Sequence, residues 1–417
     1  MESASEKRKL QNLFRYYFNR HPEVKLPPKD LKAVDAIMQC QTVDRGYNLL
    51  SCDGGHEVIQ PHSCRHRSCP ICAGRSRFQW IEKEKNRLLD CSHHHVIFTL
   101  PHEYLNLWQY NRKWFTRHLF KAARDTLITL LEDERHLGAT PGILMTLHTW
   151  GRQLNYHPHI HCLVTSGGLT KQEEWKPVKK GYLLPVHAVK ALYRGKLQSW
   201  IKEALKRNEL TIPANSSLSE CIRLHRTVYE KKWSVRIQEE YEHGRGVALY
   251  LAQYMKGGPI KPGRLMIKGD SVEFWYLDHR DKRKKICRLT IKEFVKRILW
   301  HVPESGIHVV RHYGLYASKN LKRKEACARR EGFVSPDKET GAETKDGLNW
   351  SCSICGALLK MRYSSYPDRR YENSIIRSQA DRIVQQGVQV EREIAASHRR
   401  RRNNTDSCIF FDQTAPT

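Results

Sequence analysis

Apolar positions along the chain switch between two periods, and the switches outline its elements. Residues 1–39 read as helix, apolar side chains recurring on a polar ground until Leu26-Pro27-Pro28 breaks the run in two. Arg75 to Leu89 reads as a basic amphipathic helix. Strand-like runs follow: HHVIFTL at 94–100, ended by Pro101, and GILMTLHTW at 142–150. A third, NYHPHIHCLV, opens at Asn155 and runs to Thr165, stopping at Ser166-Gly167-Gly168. Between them Trp114, Phe115, Leu119 and Phe120 keep helical spacing, and 185–206 is helical again. RLMIKGDSVEFWYLDHRDKRKKICRLTI predicts a hairpin or meander, with the helix IKEFVKRILWHV after it. Strands interleaved with helices and joined by hairpins predict an α+β fold, a central antiparallel sheet flanked by helices.

From about 321 the character changes. LKRKEACARREGFVSPDKETGAETKDG has little to bury and reads as a linker, followed by a lone CSIC and a polar tail with His398-Arg399-Arg400-Arg401-Arg402. We therefore expect three units: 1–90, with helices and a metal-held module; 91–320, the main domain; and 321–417, a basic, partly disordered tail with a CxxC knuckle that resembles half of a zinc ribbon. No internal repeat is visible. No GxxxxGK[ST] loop occurs either, so ATP hydrolysis is not indicated.

Charge narrows the partner. Lys and Arg number 72 against 44 Asp and Glu, a formal net charge of +28. That balance points to a polyanion, nucleic acid first among them. No run of about 18 apolar residues offers a membrane span and no signal peptide opens the chain. The 13 cysteines are therefore read as reduced and metal-holding, in a reducing cytoplasm.

Five soft ligands crowd the run from 52 to 72: Cys52, His56, Cys64, Cys69 and Cys72. Zinc takes four thiolates or imidazoles in a tetrahedron. Cys69 and Cys72 form the knuckle pair; Cys52 and Cys64 come next, His56 competes for the fourth place, and Cys40 lies outside the group. Arg65, Arg67, Arg75 and Arg77 surround this run, so the zinc reads as structural and the charge as a surface for phosphates.

The histidine strand carries different chemistry. Side chains two apart share a face, so His159 and His161 can converge on one ion while Ile160, Cys162 and Val164 face the core. His157 shares their face, one pleat further out. Downstream, GRGVALYLAQYMKGGP sets Tyr250 and Tyr254 one helical turn apart. Alone, Val247, Tyr250, Leu251, Tyr254 and Met255 read as a packing stripe. Beside a metal-binding strand in a basic protein the pair acquires another meaning. A tyrosine hydroxyl can hold a cleaved phosphodiester as a covalent ester while an ion polarises the phosphate.

The chain resembles the two-tyrosine HUH transposases of the rolling-circle insertion-sequence-ninety-one family. The likeness lies in SCRHRSCPIC, FTLP at 98–101, LHTWGRQLNYHPHIHCLVTSGGL at 147–169, YLAQY at 250–254 and EFVKRILWHVPESGIHVVRHYGL at 293–315. It covers about residues 50–316. The resemblance implies that His159 and His161 hold a Mg²⁺ or Mn²⁺ ion and that Tyr250 and Tyr254 are nucleophiles forming 5′-phosphotyrosine links. Single-stranded or hairpin DNA at transposon ends and target DNA are the implied partners, with the host replication machinery indirectly involved, at the nucleoid of a bacterial cytoplasm. Two points depart from the pattern. The first zinc knuckle has lost its second cysteine, and Gln253, His148 and His157 remain alternatives for the third catalytic ligand. Arg311 and His312 of the RHYG segment are candidate DNA contacts. A plasmid replication initiator or relaxase, or a catalytically silent DNA-binding protein, are the competing readings.

Overall fold

A computed structural model of the chain describes residues 4–85, 87–241, 258–278, 281–333 and 351–366. In chain order its elements begin with α1 (Ala4–Arg20), α2 (Pro28–Gln39), β1 (Tyr47–Ser51), β2 (Glu57–Pro61), α3 (Ala73–Lys85) and β3 (His93–Thr99). Then come α4 (Leu105–Tyr110), α5 (Arg112–Leu131), β4 (Thr140–Trp150), β5 (Tyr156–Leu169), β6 (Trp175–Pro177), α6 (Val186–Lys206), α7 (Leu218–Glu230) and β7 (Val235–Tyr241). The remainder are β8 (Leu265–Lys268), β9 (Ser271–Leu277), β10 (Lys284–Thr290), α8 (Ile291–Trp300), β11 (Val310–Gly314), α9 (Leu321–Arg330) and β12 (Lys360–Ser365).

Two compact units contain these elements. Within the described residues the larger takes 4–22, 26–37 and 65–333, and the smaller takes 23–25, 38–64 and 351–366. In the larger, the central sheet has the order β11-β4-β5-β3-β7, with β6 added to β5, and every pairing is antiparallel. The expected meander is a sheet of its own, in the order β10-β9-β8. The smaller unit holds a three-stranded sheet, β12-β1-β2.

Strand alternation decides what each face of the central sheet buries. On one face, Ile143 and Met145 of β4, Ile160 and Cys162 of β5 and Phe98 of β3 join Phe115, Leu119 and Leu127 of α5 and Val189 and Leu197 of α6 in the main core. Each fully buried aliphatic or aromatic side chain there contributes roughly 1.5–3 kcal/mol. The other face is divided. At one end Leu144 and Leu163 pack with Leu88, Leu315, Tyr316 and Cys327 beneath α9. The other end carries imidazoles.

Two local expectations need correction. Residues 321–330 are not linker but the helix α9, anchored where Cys327 is buried and where Lys324 donates to the Arg87 carbonyl at 3.0 Å. One thiol and one aliphatic stem are a weak apolar signal in a run this charged. Strand β5 also continues past Ser166 to Leu169, because β6 pairs with Gly167–Leu169. The glycines are what permit this: a Cβ on Gly167 would lie 2.5 Å from the Trp175 ring, and one on Gly168 2.6 Å from the Thr140 carbonyl oxygen.

Candidate active site and metal centres

Register places the imidazoles. His148 on β4 pairs directly with His159 on β5, and Thr146 pairs with His161. Residues two apart on a strand share a face, and so do residues paired across strands, so His148, His159 and His161 stand together, away from the core side chains Ile160 and Cys162. Their ligand nitrogens all lie within 4.8 Å of one another. Ring centroids are 4.3 Å apart for His148 and His161, and 4.7 Å apart for His159 and His161.

Burial keeps these rings neutral. His148 and His161 are pushed well below the ordinary histidine range, first by burial and then by the neighbouring imidazoles. His159 falls to about 3, again through burial first and the adjacent His157 second. A neutral imidazole has one nitrogen with a lone pair, the form that binds metal.

Hydrogen bonds decide which nitrogen that is. His159 Nδ1 faces the His157 carbonyl at 2.5 Å and must donate its proton there, which leaves Nε2 as the lone-pair nitrogen. His161 is set through β3. The Gln238 Oε1 atom only accepts, so His95 Nδ1 carries the proton that bonds it. His95 Nε2 is then an acceptor, and His161 Nδ1 donates to it at 2.7 Å. Both ring orientations are thus fixed from behind, as in sites where an outer partner aligns the ligand.

Three imidazole nitrogens suit a borderline divalent ion. Mn²⁺ tolerates them, whereas Mg²⁺ prefers an oxygen octahedron. Among the described residues, His148 is the alternative third ligand that joins His159 and His161 in the group. His157 is exposed and contributes its carbonyl to His159. Gln253, Tyr250 and Tyr254 lie outside the described residues.

The cysteines divide differently from the single group of five. Within the smaller unit, Cys52, His56, Cys352 and Cys355 form a set within 4.8 Å. The β1–β2 hairpin explains the split. At its open end His62 N–H donates to Gly46 O at 2.8 Å and Gln41 N–H to His62 O at 3.0 Å, which draws residue 40 toward 64. Cys52 and His56 sit at the turn, a five-residue strand or about 16 Å away. Cys40, set outside the group by spacing alone, therefore lies with Cys64 at the open end of the hairpin, and Cys52 and His56 lie at its other end.

Of the six expected DNA contacts, Arg65 and Arg75 are exposed. Arg67 and Arg77 are half-buried; Arg67 lines a pocket with Trp108, Arg112 and Trp300, and burial lowers its pKa. Arg311 lies over the Phe120 ring at 4.2 Å, and His312 bonds the buried Glu84 carboxylate at 2.8 Å.

Two family models match the chain: "Transposase zinc-binding domain" over residues 10–100 and "Putative transposase" over residues 142–324. The transposase for insertion sequence element IS801 of Pseudomonas savastanoi pv. phaseolicola is 32% identical over 397 residues, 86% of this chain and 90% of its own. "Putative transposase y4qJ" of Sinorhizobium fredii is 32% identical over 330 residues, 77% of this chain and 83% of its own. The chain belongs to the insertion-sequence-ninety-one family of transposases. No solved structure matches this transposase. The zinc-binding domain match encloses Cys40, Cys52, Cys64, Cys69 and Cys72, and the histidine strand falls within the second match. Among the described residues no helix is long and apolar enough to cross a membrane.

Proposed function

We propose that this transposase cleaves and rejoins single-stranded DNA at transposon ends through 5′-phosphotyrosine intermediates, in a rolling-circle-type transposition. The observation that supports this reading most is the three-imidazole group of His148, His159 and His161, neutral and, for two rings, oriented by a hydrogen bond through Nδ1. An ion bound there would polarise the scissile phosphate and hold it in place.

Tyr250 and Tyr254 supply the nucleophiles. In each transfer the phenolic oxygen forms a bond to phosphorus as the bond from phosphorus to the 3′ oxygen breaks. The phenolic proton passes to solvent, and the leaving strand ends in a 3′-hydroxyl. A second tyrosine allows a second transfer without release of DNA, and the ester keeps the bond energy for rejoining. Arg65 and Arg75 with their half-buried neighbours Arg67 and Arg77 offer phosphate contacts, with Arg311 at β11 as a further one, while His312 beside it is taken up by the Glu84 carboxylate. In domain terms, 1–90 recognises DNA, 91–320 performs the chemistry, and 321–417 adds basic charge.

Incubating a labelled single-stranded transposon end with the full chain and Mn²⁺ tests this. An adduct that survives denaturation is expected, and it is lost in the Tyr250→Phe, Tyr254→Phe double variant. Failure to form an adduct with Mn²⁺ or Mg²⁺ favours a DNA-binding protein without nuclease activity, and an adduct in the double variant overturns the nucleophile assignment.

A further inference from the structure

The zinc-binding domain match ends at residue 100 and leaves the CSIC knuckle at 352–355 unexplained. We propose that Cys52, His56, Cys352 and Cys355 form a second zinc site, which fastens the segment 351–366 to the β1–β2 hairpin. The site lies wholly within the smaller unit.

Topology delivers the two halves to the same place. Strand β12 runs antiparallel to β1, and Lys360 pairs with Ser51. The turn ahead of β12 therefore arrives at the hairpin turn that carries Cys52 and His56. Each half is a closed backbone loop. In one, Cys52 N–H donates to His56 O at 3.1 Å and Gly55 N–H to Cys52 O at 3.0 Å; Gly55 has φ +78°, a conformation that side chains disfavour. In the other, Cys352 N–H donates to Ala357 O and Gly356 N–H to Cys352 O, both at 2.8 Å.

The distances are those of a tetrahedron. Zinc with bonds of about 2.3 Å to sulfur and 2.0–2.1 Å to nitrogen separates its ligand atoms by roughly 3.4–3.8 Å. Cys52 Sγ lies 3.5 Å from Cys355 Sγ and 3.4 Å from His56 Nδ1, and Cys352 Sγ lies 3.6 Å from His56 Nδ1. The Ile354 N–H points at Cys352 Sγ at 3.4 Å, a bond that favours the thiolate. Two thiols this close are also compatible with a disulfide, but a Cys52–Cys355 bridge would leave His56 and Cys352 unused.

Zinc counting on the full chain tests the site. The Cys352→Ser, Cys355→Ser variant should lose one zinc per chain relative to the parent, and Cys69→Ser, Cys72→Ser should lose a different one, the losses adding when combined. With cobalt in place of zinc, this site carries three thiolates, so the near-ultraviolet thiolate band should fall in the Cys352→Ser, Cys355→Ser variant relative to the parent. A readout on the unmodified chain covers the case in which the variant does not fold: exposed Cys355 should resist alkylation when zinc-loaded and react after chelation. Equal zinc content in parent and Cys352/Cys355 variant, alkylation of Cys355 at the same rate before and after chelation, or recovery of a Cys52–Cys355 disulfide would each overturn the proposal.

Discussion

His95 Nε2 stands 2.7 Å from His161 Nδ1 and accepts its proton, and behind it Gln238 Oε1 accepts from His95 Nδ1. An outer partner of this kind is worth about 10–100-fold in metal affinity. His95→Ala and Gln238→Ala should therefore weaken Mn²⁺ binding by that factor in calorimetric titration while the fold, read by circular dichroism, stays intact. Unchanged Mn²⁺ affinity in both variants would show that the ring needs no support from β3.

His148 and His157 separate the ligand alternatives. His148→Ala removes an imidazole from the group and should lower adduct yield by at least about 10²-fold, more than an outer partner costs. His157→Ala keeps the carbonyl that bonds His159 and should leave the yield nearly unaltered. The reverse ranking would place the ion elsewhere on the strand.

Salt dependence distinguishes phosphate contacts from structural cations. Arg65→Ala and Arg75→Ala should each reduce the slope of log affinity against log salt by about 1. His312→Ala should leave the slope alone and instead cost about 1–3 kcal/mol in denaturant unfolding, since the carboxylate of Glu84, 2% exposed, loses its imidazole partner.

Gly168→Ala should destabilise the chain by about 1–3 kcal/mol, because the added carbon meets backbone on β4 and not a yielding side chain. Chemical denaturation measures this. A neutral effect would mean that β4 and β5 can part at that end without penalty.

Acid should weaken the fold early. His93 and His301 are buried, and burial takes their pKa values down to about 4 and about 3. Unfolded histidine titrates near 6.5, so as pH falls below that value the unfolded chain binds protons that the folded one refuses. Stability is intact above about pH 6.5 and declines steadily toward pH 4. Melting temperatures recorded from pH 7.5 to 4.5 should show the decline, and a flat profile contradicts it.

The sheet and the histidine face were readable because a strand repeats every two residues, so one glance at 155–165 sorts His159 and His161 from Ile160 and Cys162. What spacing cannot reveal is which strand lies alongside. His148 becomes a neighbour of His159 only through the β4–β5 register, and His95 becomes one of His161 only because β3 borders β5 on its other edge. The cysteines show the same limit. Cys40 and Cys64 meet at the base of a hairpin whose turn carries Cys52 and His56 away, and the partners of that turn lie some 300 residues on. Helix α9 was missed for another reason, its anchorage resting on a thiol and a lysine stem.

The pairing of β1 with β12 also sets an order of events during synthesis. Tyr47 and Tyr363, whose hydroxyls meet at 3.1 Å, are 316 positions apart. At roughly 5–20 residues per second a ribosome needs on the order of 15–60 s between them. The hairpin leaves the exit tunnel long before its third strand exists, so the small unit that starts early in the chain is among the last parts to be finished.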